Sequence, residues 1–89
     1  MIFPEGLHTS EEFQTVAKNF SARVFLLANM TEFGKTPIIP FKNFEEWGYN
    51  VVIYPVSTLR IAMRAIDTFL GDLRDNGDVS RSLGSMLTR

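Results

Sequence analysis

No cysteine occurs in the 89 residues, and histidine occurs once, at position 8. Disulfides, a thiolate nucleophile and a zinc-ribbon framework are therefore excluded, and His8 has no second imidazole or thiolate with which to share a metal. It reads as a solvated loop residue. Excess positive charge is also missing. Nine Lys and Arg stand against ten Asp and Glu, a formal net charge of −1, with no local basic cluster, so the footprint of a nucleic-acid-binding surface is absent. No apolar run approaches the roughly 20 residues of a membrane span. The start, Met1-Ile2-Phe3-Pro4-Glu5, has neither a basic flank nor a small-residue cleavage site. A cytoplasmic protein is expected, unless targeting information precedes a truncated N-terminus.

What is present is a globular composition, 45% hydrophobic, 21% charged and 12% aromatic. A chain this short forms one small domain with a marginal core. Met1 to Phe3 is apolar and stops at Pro4, which suits the end of a strand. Thr9 and Ser10, followed by Glu11 and Glu12, predict a capped helix start. From there to Phe20 the residues Phe13, Val16, Ala17 and Phe20 fall at helical spacing. Val24 to Ala28 is a short continuous apolar run, the signature of a strand buried on both faces in a parallel sheet. Asn43 is placed to cap a short helix through Trp47, with Gly48 as its stop.

Val51 to Tyr54 repeats the buried-strand pattern and ends at Pro55. Ser57 is placed to cap a longer helix to about Asp75, striped by Leu59, Ala62, Met63, Ile66, Phe69 and Leu70 and ended at Asn76-Gly77. In the polar remainder Leu83, Met86 and Leu87 are the candidate packing groups. The aromatic set Phe13, Phe20, Phe25, Phe41 and Trp47 is expected in the core. Gly34-Lys35-Thr36 echoes a phosphate loop but lacks its upstream glycine.

The order strand, helix, strand, short helix, strand, helix predicts an α/β fold with parallel strands. Three strands leave such a sheet unfinished, so residues 1–89 are expected to form a single partial domain. Strand starts 20 to 30 residues apart fit the βα unit of a (β/α)8 barrel, about three units of it. In such barrels reacting groups sit at the carboxyl ends of the strands. Glu5, Asn29 with Thr31, and Tyr54 with Ser57 occupy those positions. Singly each has a plainer reading: a solvated loop residue, a turn residue, a helix cap. Together, with no polar counterpart at the strand starts, they point to a site.

The segments MIFPEGL, LLANMTEFGKTP and VVIYPVSTLR, in this order and spacing, resemble the closing third of the isocitrate lyase/phosphoenolpyruvate mutase superfamily, most of all its 2-methylisocitrate lyase branch. The resemblance covers nearly the whole chain, and ANMTEFG is its most specific part. It implies the C-terminal part of a (β/α)8 barrel, namely its last three βα units and final helices. It also implies a Mg²⁺-dependent enzyme that cleaves a small 2-hydroxy tricarboxylate to pyruvate and succinate. By resemblance Glu5, Asn29, Met30, Thr31, Arg60 and Arg89 contact the substrate or its surroundings, Arg89 in a tail where the family carries Gln in place of Leu87.

The family's cysteine-bearing catalytic loop and its acidic Mg²⁺ anchors have no counterpart here, so no catalytic or metal-ligating residue is assigned within the chain. The resemblance further implies a homo-oligomer that exchanges the helix 57–75 between subunits. Other superfamily chemistries stay open, either a phosphonomutase or an oxaloacetate-type hydrolase or decarboxylase. A catalytically silent half-barrel is the reading from a different class.

Overall fold

A computed structural model describes residues 1–89. Its elements are α1 (Ser10–Phe20), β1 (Leu27–Asn29), α2 (Phe41–Trp47), β2 (Val51–Ile53), α3 (Ser57–Asn76) and a 3₁₀ helix (Ser80–Ser85). They fall into two compact units, Met1–Ser57 and Thr58–Arg89.

In the first unit α1 starts as its cap residues require. The Thr9 hydroxyl accepts from the Glu12 N–H at 3.2 Å, and the Glu12 carboxylate accepts from the Thr9 N–H at 3.3 Å, a reciprocal capping box. The His8 N–H donates to the same carboxylate and is the main cause of a lowered Glu12 pKa, with Thr9 adding to it. His8 itself is exposed.

The second helix departs from expectation. It begins at Phe41 rather than at Asn43, with Pro40 as its N-cap and no side-chain cap bond. Pro40 has its φ fixed by its ring, and its carbonyl takes the Asn43 N–H at 3.0 Å, so a polar cap is dispensable. Gly48 ends the helix as expected, at φ +92, with its N–H on the Glu45 carbonyl. A Cβ at Gly48 would meet Ser21 Cβ at 3.0 Å.

β1 and β2 pair in parallel with Leu27, Ala28 and Asn29 opposite Val51, Val52 and Ile53. Ile2 adds a single parallel bridge to Leu26, donating to the Phe25 carbonyl at 2.8 Å and accepting from the Leu27 N–H at 3.0 Å. The expected first strand is thus one bridge, and the second lies later than Val24–Ala28. Burial on both faces also fails. Leu26, Ala28 and Met30 are 0%, 0% and 1% exposed, whereas Phe25 is 47% exposed and Leu27 and Asn29 are half-buried. The cause is one-sided cover: Phe13 and Ala17 of α1, Phe44 of α2, and Tyr49 pack with the Leu26, Ala28 and Met30 face.

Phe44 sits at the centre of this layer, edge-on to Phe13, Tyr49 and Trp47 with ring centroids 5.2, 5.3 and 5.5 Å away. The core therefore differs from the expected aromatic set. Phe13 is in it and Trp47 packs against it, but Phe20, Phe25 and Phe41 are 38%, 47% and 63% exposed. Phe20 lies at the end of α1, where the Arg23 guanidinium covers its ring at 5.8 Å.

In the second unit α3 runs close to its predicted length and stops before Gly77, which takes φ +76 and donates to the Leu73 carbonyl. No residue of α3 is buried, and Leu59, Met63, Ile66 and Leu70 are 49 to 59% exposed. Leu83, Met86 and Leu87 are exposed as well, because the 3₁₀ turn buries none of its residues, so they do not serve as packing groups. No helix is long and apolar enough to cross a membrane.

The Tyr49 hydroxyl donates to the Phe13 carbonyl at 3.0 Å, and burial pushes its pKa up to about 12 from 10.0. The folded chain therefore keeps a proton that the unfolded chain releases between these values. Stability is whole below the lower value and falls as pH rises through the higher. Tyr49→Phe is expected to cost about 1 kcal/mol at neutral pH and to flatten the alkaline decline, as measured by urea unfolding across both pH ranges.

Candidate functional site at the strand ends

Three loops leave the carboxyl ends of Ile2, β1 and β2, and each carries residues singled out by the sequence. Asn29 closes β1 on the open face of the sheet, in register with Ile53. Its side-chain oxygen accepts from the Thr31 hydroxyl at 3.1 Å, which fixes the amide and leaves its NH₂ group to donate outward. Met30, between them, points the other way. Its side chain is in the apolar core and its N–H donates to the Ile53 carbonyl at 2.9 Å, so its carbonyl is the group it can offer a ligand. Glu5 and Tyr54 are exposed.

Ser57 is not the helix cap expected of it. It is the first residue of α3, and its hydroxyl donates to the Glu32 carboxylate. Thr36, the last residue of the phosphate-loop echo, donates from its hydroxyl to the Leu7 carbonyl at 2.5 Å. Gly34-Lys35-Thr36 thus belongs to a tied loop. Phe33, between these anchors, is 91% exposed and adopts φ +65, a left-handed conformation unusual for a bulky side chain. Arg60, in the first turn of α3, and Arg89, the last residue, are exposed and belong to the second unit.

The structure therefore brings Asn29 and Thr31 together and adds Glu32, which the sequence displays as a carboxylate beyond the strand without revealing its partner. The Ser57 and Leu7 pairings lie 25 and 29 residues away in the chain, where no local signal reaches. No three His, Asp or Glu side chains gather into a cation site. The residues present do not make a Mg²⁺ site on their own. Chemically the Asn29 amide, oriented by Thr31, is a neutral donor suited to a carboxylate or carbonyl oxygen.

No family model matches the chain. Its sequence is 46% identical over 88 residues to 2-methylisocitrate lyase of Halalkalibacterium halodurans, covering 99% of this chain and 29% of that protein. Identity to the enzyme of Aeropyrum pernix is 45% over 89 residues, covering 100% of this chain and 28% of that one. Among solved structures, 2,3-dimethylmalate lyase, a member of the phosphoenolpyruvate mutase/isocitrate lyase superfamily, matches with a TM-score of 0.80 at 31% identity, over 88% of this chain and 28% of its own. Oxaloacetate acetylhydrolase with bound oxalate matches with the same TM-score and identity, over 88% of this chain and 27% of its own.

The chain belongs to the isocitrate lyase/phosphoenolpyruvate mutase superfamily, and its mixed α/β fold with a small parallel sheet matches a fragment of those structures. Within the superfamily it is similar to the 2-methylisocitrate lyases, of whose length it spans somewhat over a quarter.

Thr31→Val keeps the shape of the side chain and removes the donor to Asn29. The amide is expected to lose its fixed orientation at a stability cost of about 0.5–1.5 kcal/mol. The Asn29 side-chain NH₂ signals in a ¹⁵N-correlated NMR spectrum report it. Unaltered signals would show that Thr31 does not orient the amide.

Proposed function

We propose that this chain forms the last three βα units and final helices of a (β/α)8 barrel lyase that cleaves 2-methylisocitrate to pyruvate and succinate, and that it supplies substrate-carboxylate contacts. The observation that carries the reading is identity of 44 to 46% to 2-methylisocitrate lyases along essentially its whole length. The parallel order of Ile2, β1 and β2, with polar groups at their carboxyl ends, supports it.

In such a cleavage the substrate hydroxyl loses its proton, the adjacent carbon–carbon bond breaks, and the pyruvate carbonyl forms. The electron pair passes to the succinate carbon as an enolate-like charge that must be protonated. Mg²⁺ in the complete enzyme would stabilise developing oxyanion charge. This chain's part is binding. The Asn29 amide NH₂ donates to carboxylate or carbonyl oxygens, Thr31 holds that amide and adjoins the substrate, the Met30 carbonyl lines the same turn, and Glu5 borders the substrate. Arg60 and Arg89 supply guanidinium forks for carboxylates. No residue here is assigned the proton transfer.

The test is a chimera in which residues 1–89 replace the matching segment of the Bacillus subtilis 2-methylisocitrate lyase, to which the chain is 44% identical. Pyruvate release from 2-methylisocitrate is expected from the chimera, and none from the 89 residues alone with Mg²⁺. Arg60→Lys in the chimera is expected to lower kcat/KM by the equivalent of about 1.5–3 kcal/mol, as a bidentate charged contact is lost. A folded chimera that ignores 2-methylisocitrate but hydrolyses oxaloacetate would assign the second reading, which rests on the match to oxaloacetate acetylhydrolase at 31% identity and a TM-score of 0.80.

The exposed stripe Leu59, Met63, Ile66 and Leu70 supports a further part of the reading, a homo-oligomer in which the helix 57–75 is exchanged between subunits. Light scattering on the 89-residue chain is expected to show self-association that Met63→Glu with Ile66→Glu abolishes. A monodisperse monomer at micromolar concentration would refute it.

A further inference from the structure

Two side-chain hydrogen bonds staple the three strand-end loops of the first unit to one another. The Thr36 hydroxyl reaches the Leu7 carbonyl, and the Ser57 hydroxyl reaches the Glu32 carboxylate. Both anchors lie in the loop after β1, four residues apart, and they bracket Phe33. A bulky residue persists in a left-handed conformation only where its surroundings over-determine it. Phe33 is 91% exposed, and the anchored side chains of Glu32 and Thr36 hold the loop on either side of it.

The Glu32 carboxylate is itself committed inward. Its Oε2 is shielded from solvent, and the Ser57 donor gives the other oxygen a charge-assisted bond. Withdrawing a carboxylate oxygen from water is unfavourable without such compensation. Residue 32 directly follows Thr31, whose hydroxyl orients the Asn29 amide.

We propose that Glu32 and Ser57 are a positioning pair that fixes the loop after β1 so that the Asn29 amide, held by Thr31, presents its NH₂ in one geometry to a carboxylate ligand. The proposal rests on the reading that Asn29 and Thr31 contact substrate. Neither member of the pair touches the ligand. Each acts through the loop, and misplacement of a donor by a fraction of a bond length is enough to slow turnover.

Two measurements test it. In the 89-residue chain, Ser57→Ala is expected to shift and broaden the amide NMR signals of Thr31, Glu32 and Phe33 while those of Phe13 and Phe44 stay in place. Ser57→Thr, which keeps the hydroxyl, is expected to restore them. In the lyase chimera, Ser57→Ala is expected to reduce kcat/KM about tenfold, the lower end for a lost hydrogen bond to a charged group, with the melting temperature little changed and Ser57→Thr recovering most of the loss. Glu32→Gln, which keeps an acceptor of the same shape, separates charge from geometry and is expected to lie between the two.

Rim signals of Ser57→Ala that overlay those of the unsubstituted chain would overturn the proposal. So would an active chimera whose kcat/KM is indifferent to Ser57→Ala, and in that case the lyase reading stands. An inactive unsubstituted chimera together with the expected NMR changes would sink the lyase reading and leave the positioning role intact.

Discussion

The placement of Phe44 is the constraint on which the rest of the first unit depends. α2 has seven residues, too few to be stable as an isolated helix, so it exists because Phe44 is fully buried among Phe13, Tyr49 and Trp47. Tyr49 then follows Gly48 and bonds the Phe13 carbonyl, which ties the first half of α1 to the segment that leads into β2. One residue later the Asn50 side chain accepts from the Leu26 N–H at 2.8 Å, and the Asn50 N–H donates to the Leu26 carbonyl at 2.9 Å. That pair sets the register between β1 and β2. The position of Asn29 opposite Ile53, and with it the polar tip, is inherited from an aromatic cluster on the other side of the sheet.

Sidedness follows from the same cluster. Alternation along a strand sends Leu26, Ala28 and Met30 to the helices and leaves Leu27, Asn29 and Thr31 on the opposite face. A slip of one residue would bury the Asn29 amide in a layer of Phe and Leu with nothing to bond, which costs more than a lost surface contact. Register is therefore well specified, and the donors stand where they can meet a polar ligand without disturbing the core.

Much of this was legible in the sequence because it is local. Thr9 with Glu12 announces a capping box, Gly48 and Gly77 announce helix ends, and the two apolar runs announce parallel strands. Polar residues at the strand ends announced the rim. Depth is not local. Phe20, Phe25 and Phe41 look as apolar as Phe13 and Phe44, but only register and helix phase decide which ring meets the sheet. Val24 to Ala28 looked buried on both faces because its composition is, while the helices of this chain cover one face. Ser57 looked like a cap because serine caps helices. Its partner is a carboxylate 25 residues earlier, and no spacing rule connects the two.

The same distinction explains how a polar rim is built on a marginal core. The Asn29 amide protons are neutral donors, so they can face water with no bound ligand at little electrostatic cost, unlike a buried unpaired charge. Their drawback is that neutral donors discriminate poorly unless they are held still, since their value to a transition state lies in orientation rather than in field. Backbone pairing ends for β1 when the Met30 N–H reaches the Ile53 carbonyl, and beyond it the chain has no ladder to fix it. Side chains at positions 32 and 36 take over that task, one through a charged acceptor and one through a backbone carbonyl. The order of the rim is thus carried by side chains that lie outside the aromatic core.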